Sequence, residues 1–348
     1  MIKAKVVGAG GYGGVGIVEL LLRHPEAEIA CLVSLSDTGR KMSDVFPHLR
    51  GFCDRVVVSP DDPAGKEPFD VVFFSTPDGV GMQTAGEELA RGAKVIDYSG
   101  DFRFPTPERY AEYANFIGKD PVHKAPELLA ETVYGLPELH EVGPERRLLG
   151  NPGCFAASCI LGLAPAVAAG VVDPNSIICD CKTGVSGAGK KPNPSFHYPN
   201  RHDNMNAYKL AGHQHVVEIE QELSLLGKET VRVTFTAQVV PVCRGILSVL
   251  YANLDGQDAE ELLEIYREFY RNAPFVRILD ASTPASVADV RGTNYCNLVV
   301  DVDRNGRLRI VSHIDNLMKG QAGNALQNMN LLFGLDPILG LSGPGQYP

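Results

Sequence analysis

The run Gly150-Asn151-Pro152-Gly153-Cys154-Phe155 sets a thiol directly after a Pro-Gly turn, at the head of the apolar stretch CFAASCILGLAPAVAAG. That stretch reads as a buried helix with Cys154 at its N-terminus. Unpaired backbone N–H groups and the positive end of the helix dipole favour the thiolate there, the nucleophilic form of cysteine. The same N–H groups suit an oxyanion formed by attack on a carbonyl. Cys159, further along the helix, has no such setting and reads as a small core residue. A second stretch, AGHQHVVEIEQEL, carries Val216, Ile219, Leu223 and Leu226 at helical spacing, which puts His213 at or before the first turn. A histidine at that end of a helix tends to stay neutral, as a general base must. Only the fold can bring His213 to Cys154, and His215 is the alternative partner.

A third chemical signal opens the chain. VVGAGGYGGVG follows a short apolar strand and begins a helix. Gly8, Gly10 and Gly13 fit G-x-G-x-x-G, and Gly8, Gly11 and Gly14 fit G-x-x-G-x-x-G, with Tyr12 inside the turn. Glycine there lets the backbone come within contact distance of a pyrophosphate at a helix N-terminus. NAD enzymes commonly place an acidic residue near the end of the second strand. This chain has Ser34 and Ser36 there, followed by Arg40 and Lys41, with Asp37 between. Hydroxyls with nearby cations suit a 2′-phosphate, so the expected cofactor is NADP, and Asp37 keeps NAD open.

The elements that must hold these residues fall into two textures. Up to about residue 150, KAKVVG, EIACLVS, DVVFFSTP and AKVIDYSG are apolar strands spaced by helical segments, the first of which stops at Pro25. Strands apolar on both faces and separated by helices predict an α/β, doubly wound parallel sheet. Later, VRVTFTAQVV, ILSVLYANL, NYCNLVVDVD and RLRIVSHID read as longer strands, antiparallel because no crossover helix separates several of them. The stretch AEELLEIYREFYRN is an amphipathic helix, and a last one bears Met318, Ala322, Ala325, Met329 and Leu332.

A chain of 348 residues is long enough for two domains. Its net charge of −10 argues against nucleic acid, whose phosphates need a basic surface. Eight scattered cysteines suit a reduced, cytoplasmic setting, and neither a signal peptide nor a membrane-length apolar run is legible. Cys179-x-Cys181 puts two thiols on one strand face with no second pair at zinc-like spacing, so core packing is expected and no metal.

GNPGCFAAS, KTGVSGAGKKP, YKLAGHQHVVEIEQEL, VVPVCRGIL and IDNLMKGQAGNALQNMNLLFGL, with SGDFRF and VYGLPEL, resemble the N-acetyl-gamma-glutamyl-phosphate reductases of arginine biosynthesis in order along essentially the whole chain. The resemblance implies a Rossmann domain over residues 1–153, an α+β catalytic and oligomerisation domain over 154–315, and a C-terminal helix and tail over 316–348 returning to the first domain. It implies an NADP-dependent phosphorylating semialdehyde dehydrogenase, a homodimer or homotetramer acting on a small acyl phosphate. Cys154 would expel phosphate to form a thioester that accepts hydride from NADPH, with His213 moving protons. Asn316, Lys319 and Gly320 would join the glycine loop, Ser34 and Ser36 at the cofactor. Arg103, Asn151, Lys182 and Ser186 would meet the substrate's phosphate or carboxylate, although Arg103 could instead pair with Asp97 or Asp101. The chain departs from the family in Gly10 and Gly13, where Ser and Thr usually stand, in Asp78 for a histidine, in Leu35 for an arginine and in Ala157 for a threonine. Relatives acting on carrier-protein-linked glutamyl or aminoadipyl phosphates, and a non-catalytic NADP-binding redox sensor, are the alternatives.

Overall fold

The computed structural model describes residues 1–345, and the chain divides into two compact units. The first comprises Met1–Pro152 with Gln321–Ser342, the second Gly153–Gly320 with the chain from Gly343.

The first unit is built on a six-stranded, all-parallel sheet. Strand β1 (Ile2–Val7) leads through helix α1 (Tyr12–Leu21) to β2 (Ala27–Val33), and a short helix α2 (Met42–Val45) precedes β3 (Val71–Phe74). Helix α3 (Gly81–Ala90), β4 (Lys94–Asp97) and α4 (Pro107–Phe116) follow, then β5 (Val133–Tyr134) and β6 (Leu148–Gly150). The spatial order is β2-β1-β3-β4-β6-β5. All four residues of β3 are buried, as a strand covered on both faces requires. The expected strands are all present; β5 and β6, too short to show a period, complete the sheet.

The second unit opens with α5 (Cys154–Ala168), whose residues from Phe155 to Val167 are all buried. Strand β7 (Ile177–Thr183), helix α6 (Tyr198–Arg201), strand β8 (Asn206–Tyr208) and helix α7 (His215–Gly227) come next. They are followed by β9 (Val233–Val239), β10 (Ile246–Asn253), α8 (Ala259–Phe269), β11 (Val276–Asp280), β12 (Cys296–Val302) and β13 (Arg307–Ile314). The sheet order is β11-β12-β13-β10-β7-β9-β8. It is mixed and not purely antiparallel: β7 pairs β9, and β11 pairs β12, in parallel. Helix α7 lies between β7 and β9 in sequence and makes the first of these crossovers. Alternation along β7 sends Cys179 and Cys181 into the core, where Cys181 Sγ lies 3.4 Å from Cys159 Sγ of α5. The core reading of these thiols therefore holds. After β13 the chain makes a π-helical turn, Met318–Ala322, and then α9 (Gly323–Leu332), which packs with α1 and β4 of the first unit.

Two loops at the ends of β3 and β4 are locked by reciprocal carboxylates. Asp78 accepts from Gly100 N–H (2.9 Å), Tyr113 Oη (3.1 Å) and Lys119 Nζ (2.8 Å). Asp101 accepts in return from the N–H groups of Gly79 and Met82, at the start of α3. Asp78 is largely buried, yet these bonds hold its carboxyl below the usual range. Asp97 is fully buried at the end of β4 and accepts from Ser99 N–H (2.7 Å). Burial, reinforced by the Asp101 carboxyl, pushes Asp97 up to about 8.

That shift has a sign in stability. Unfolded, the group titrates near 3.8; folded, it keeps its proton far longer. The folded chain then binds the extra proton between these values, so stability falls as pH rises from about 4 to about 8 and levels off above. Asp97→Asn should flatten this slope. Urea midpoints measured at intervals across that range check it, and a slope identical to wild type would refute it.

Candidate active site

Cys154 is the first residue of α5, with Gly153 as the N-cap and no acidic side chain in the first turn. No carboxylate of α5 itself therefore lies against the positive end of its dipole. Cys154 is half-buried. Its Cβ faces Gly320: a methyl group on Gly320 would lie 2.7 Å from it, closer than real side chains come.

Gly153 has φ −69° and ψ 147°, a conformation any residue adopts, so its need for glycine is spatial. A Cβ there would lie 2.2 Å from His215 Nε2. The imidazole of His215, the first residue of α7, thus packs against the backbone of Gly153, next to Cys154 in the chain. Glu218, one turn on and fully buried, accepts from Gly153 N–H (3.0 Å) through Oε2 and has Oε1 4.0 Å from His215 Nε2. His213 sits just before α7 in an aromatic cage, its ring centroid 5.5 Å from Phe155, 5.7 Å from Tyr208 and 5.0 Å from Phe235. Its Nδ1 accepts from His215 N–H (3.2 Å), so the neutral ring carries its proton on Nε2. Burial, with Lys209 nearby, lowers His213 to about 3. Burial, and behind it the charge of Cys154, pushes the Tyr208 phenol up.

The other expected residues fall into groups. Lys182 is ion-paired with Asp180 on the sheet face opposite Cys181, so strand alternation does not bring it to α5. Ser186 Oγ accepts from Asn316 Nδ2 (3.0 Å), and Asn316 Oδ1 accepts from Gly245 N–H (2.7 Å). Asn316 is thereby a clamp between two loops of the second unit. Lys319 is fully buried in the π-helical turn. In the first unit, Arg103 donates through Nε to Asn151 O (2.8 Å) and through Nη2 to Tyr98 O, pairing with backbone carbonyls. Asn151 is buried, donates to Gln321 O (3.1 Å) and accepts from Asn324 Nδ2 (2.8 Å), so both ends of its amide serve the fold.

Two further residues of the second unit escaped sequence reading. Glu218 was legible only as the third residue after His215, the spacing that puts both on one helix face. Arg244 follows the exposed Cys243 and is held by fully buried Asp315, Nη2 to Oδ2 at 2.9 Å. That leaves a partly exposed guanidinium of fixed direction in the second unit.

The first unit carries the cradle for a dinucleotide. Gly8 has φ +85°, and a Cβ there would lie 2.1 Å from Ser75 O, so only glycine fits. Gly11 caps α1, Tyr12 opens it, and no acidic residue lies in its first turn. Gly13 and Gly14 are buried within α1. Ser34 and Ser36 meet beyond β2, Oγ to Oγ at 3.3 Å. A glycine turn at a helix N-terminus fits a pyrophosphate. Among the described residues no group of side chains could hold a metal.

Comparison with known proteins agrees with this division. A family model described as "Semialdehyde dehydrogenase, NAD binding domain" matches residues 3–143, and "Semialdehyde dehydrogenase, dimerisation domain" matches 154–316. The N-acetyl-gamma-glutamyl-phosphate reductase of Pelotomaculum thermopropionicum is 43% identical, across 100% of this chain and 99% of its own length. The chain belongs to the N-acetyl-gamma-glutamyl-phosphate reductase family. The reductases of Geobacter metallireducens (42%) and Ectopseudomonas mendocina (43%) also match over the full length of both chains. The fold of the family is shared with aspartate semialdehyde dehydrogenases. That of Vibrio cholerae superposes with TM-score 0.70 at 18% identity, covering 96% of this chain and 98% of its own. That of Candida albicans, solved with NADP, gives 0.66 at 19%, with the same two coverages.

The contact of Gly320 with Cys154 generates a prediction for the reductase. Gly320→Ala should displace the thiol and lower kcat by about 10²-fold, with the fold retained, because misplacement of about an ångström costs that much. Steady-state kinetics beside a circular dichroism melt check it; undiminished kcat would mean that the thiol's position is not held by this contact.

Proposed function

We propose that this chain reduces N-acetyl-L-glutamyl 5-phosphate to N-acetyl-L-glutamate 5-semialdehyde, releasing phosphate, with NADPH as reductant, in arginine biosynthesis. The observation that carries the reading is Cys154, set on the first turn of a buried helix in a chain alike along its full length to reductases of that name. NADP is the cofactor: the turn Gly8–Gly14 and the N-terminus of α1 would hold its pyrophosphate, and when bound it supplies hydride to the acyl carbon.

The remaining work falls to the chain's side chains. Cys154 sulfur attacks the acyl carbon, the carbon–oxygen bond to phosphate breaks, and a thioester remains. The N–H groups at the start of α5 stabilise the oxyanion of that attack. The thiol's proton goes to His215: its ring lies against Gly153, and the Glu218 carboxylate near its Nε2 supports the imidazolium. His213 was the expected proton partner. With Nδ1 already accepting and its basicity suppressed by burial, it acts as a neutral donor through Nε2.

Purified protein supplied with N-acetylglutamate semialdehyde, NADP and inorganic phosphate should produce NADPH only when phosphate is present. Cys154→Ala should abolish this, and His215→Asn should slow it by about 10²-fold or more, with a smaller loss in His213→Asn. No turnover in wild type would sink the assignment and point to a carrier-linked substrate. An equal loss in both histidine variants would refute the division of roles.

We also propose a homo-oligomer, dimer or tetramer, in a reducing cytoplasmic setting that the unbridged cysteines support. Its contact is the sheet face turned away from α5, where Leu247, Val249, Val299 and Val311 are half-buried neighbours in register. Val311→Asp should dissociate the assembly in sedimentation velocity, and an unchanged sedimentation coefficient would place the contact elsewhere.

A further inference from the structure

The turn after β2 brings a buried acid to the glycine loop. A Cβ on Gly10 would lie 2.1 Å from Asp37 Oδ2 and 3.0 Å from Ser34 Oγ, so the loop's backbone faces this carboxylate directly. Asp37 arrives there because the chain folds back: Thr38 Oγ1 donates to Ser34 O (2.7 Å), Arg40 N–H to Asp37 O (3.2 Å) and Gly39 N–H to Val57 O (2.8 Å). Asp37 is 4% exposed. Its Oδ2 accepts from Ser36 Oγ (2.8 Å) and its Oδ1 from Arg40 Nη1 (3.0 Å). The Arg40 side chain, by contrast, is 52% exposed, its other nitrogen donating to Asp44 O (3.0 Å). A buried anion is thus paired with a cation whose side chain reaches solvent.

The two charges have opposite preferences. A carboxylate at this point of a dinucleotide fold accepts from ribose hydroxyls and repels a 2′-phosphate, whereas a guanidinium binds that phosphate through paired hydrogen bonds. We propose that the Asp37–Arg40 pair sets this chain's choice of cofactor, Arg40 turning to a 2′-phosphate and Asp37 receiving the hydroxyls of an unphosphorylated ribose, so that both NADPH and NADH bind. The inference rests on the glycine turn holding the dinucleotide, and it deepens that reading.

Binding alone tests it, without turnover. The full-length protein is titrated with NADPH and with NADH, following the fluorescence of the reduced nicotinamide. Arg40→Gln, on an exposed side chain, should weaken NADPH about tenfold or more and NADH less than about threefold. Arg40→Lys should recover part of the NADPH affinity, since it restores the charge without the fork. Asp37→Asn should tighten NADPH and weaken NADH. Equal changes for both cofactors in Arg40→Gln, or an unaltered ratio in Asp37→Asn, would overturn the proposal. Failure of wild type to bind either cofactor would instead sink the dinucleotide reading itself.

Discussion

The hydrogen bond from Gly153 N–H to the buried Glu218 carboxylate joins the heads of α5 and α7, and the geometry of the thiol hangs on it. A carboxylate removed from water is costly unless its oxygens are satisfied, so Glu218 has a strong preference for this one arrangement. It satisfies a donor that α5 cannot use internally and adds a negative charge where the helix dipole is positive. A hydrogen bond of this charged kind contributes about 1.5–3 kcal/mol, enough to decide between two packings of neighbouring helices. Because His215 lies on the same turn of α7, the bond that fixes the helix also fixes the imidazole against Gly153. Glycine at that position is the steric condition for the approach. One carboxylate therefore sets His215 and the head of α5 in a single frame.

Much of this was legible along the chain. Period and composition gave both domains' main strands, the three chemical segments and the helices that begin at Cys154 and just after His213, because each carries a strong apolar pattern. The two-residue β5 and three-residue β6 left no such mark. The parallel pairings within the second sheet escaped because pairing direction depends on where a crossover lands, which no local pattern records. Among the expected residues, Lys182 lies on the face of β7 opposite Cys181, a period-two effect that its motif obscured. For Asn151, Asn316 and Arg103 the illegible part is their hydrogen bonding. Their polar groups are consumed by backbone and by one another, and that accounting exists only once the loops have met. The two histidines are a case of the same kind: sequence placed both at the start of a helix, and only packing distinguished the ring on Gly153 from the ring among aromatics.

The first unit uses charge in a second way. Asp78 and Asp101 each reach across to cap the other's loop, while Asp97 sits beneath them and keeps its proton. Asp78 anchors the loop after β3 to Gly100, just before the DFR segment, and to Lys119 beyond α4, a role that a carboxylate performs by accepting from several donors at once.

The seam along α9 carries a consequence for how the protein is made. Asn324 and Asn328 reach Gly135 O, and Asn330 meets His24, so a buried set of amides from the last helix completes a domain whose strands are all finished by Gly150. A ribosome that has released the first 152 residues has released a sheet lacking its final partner. Those backbone carbonyls and the apolar side of α1 must wait through the synthesis of the whole second unit before Gln321–Ser342 arrives. The nucleotide domain is thus begun first yet closed only after every strand of the second unit has been written, and any truncation that spares every strand of its sheet but loses the C-terminal segment leaves it unsealed.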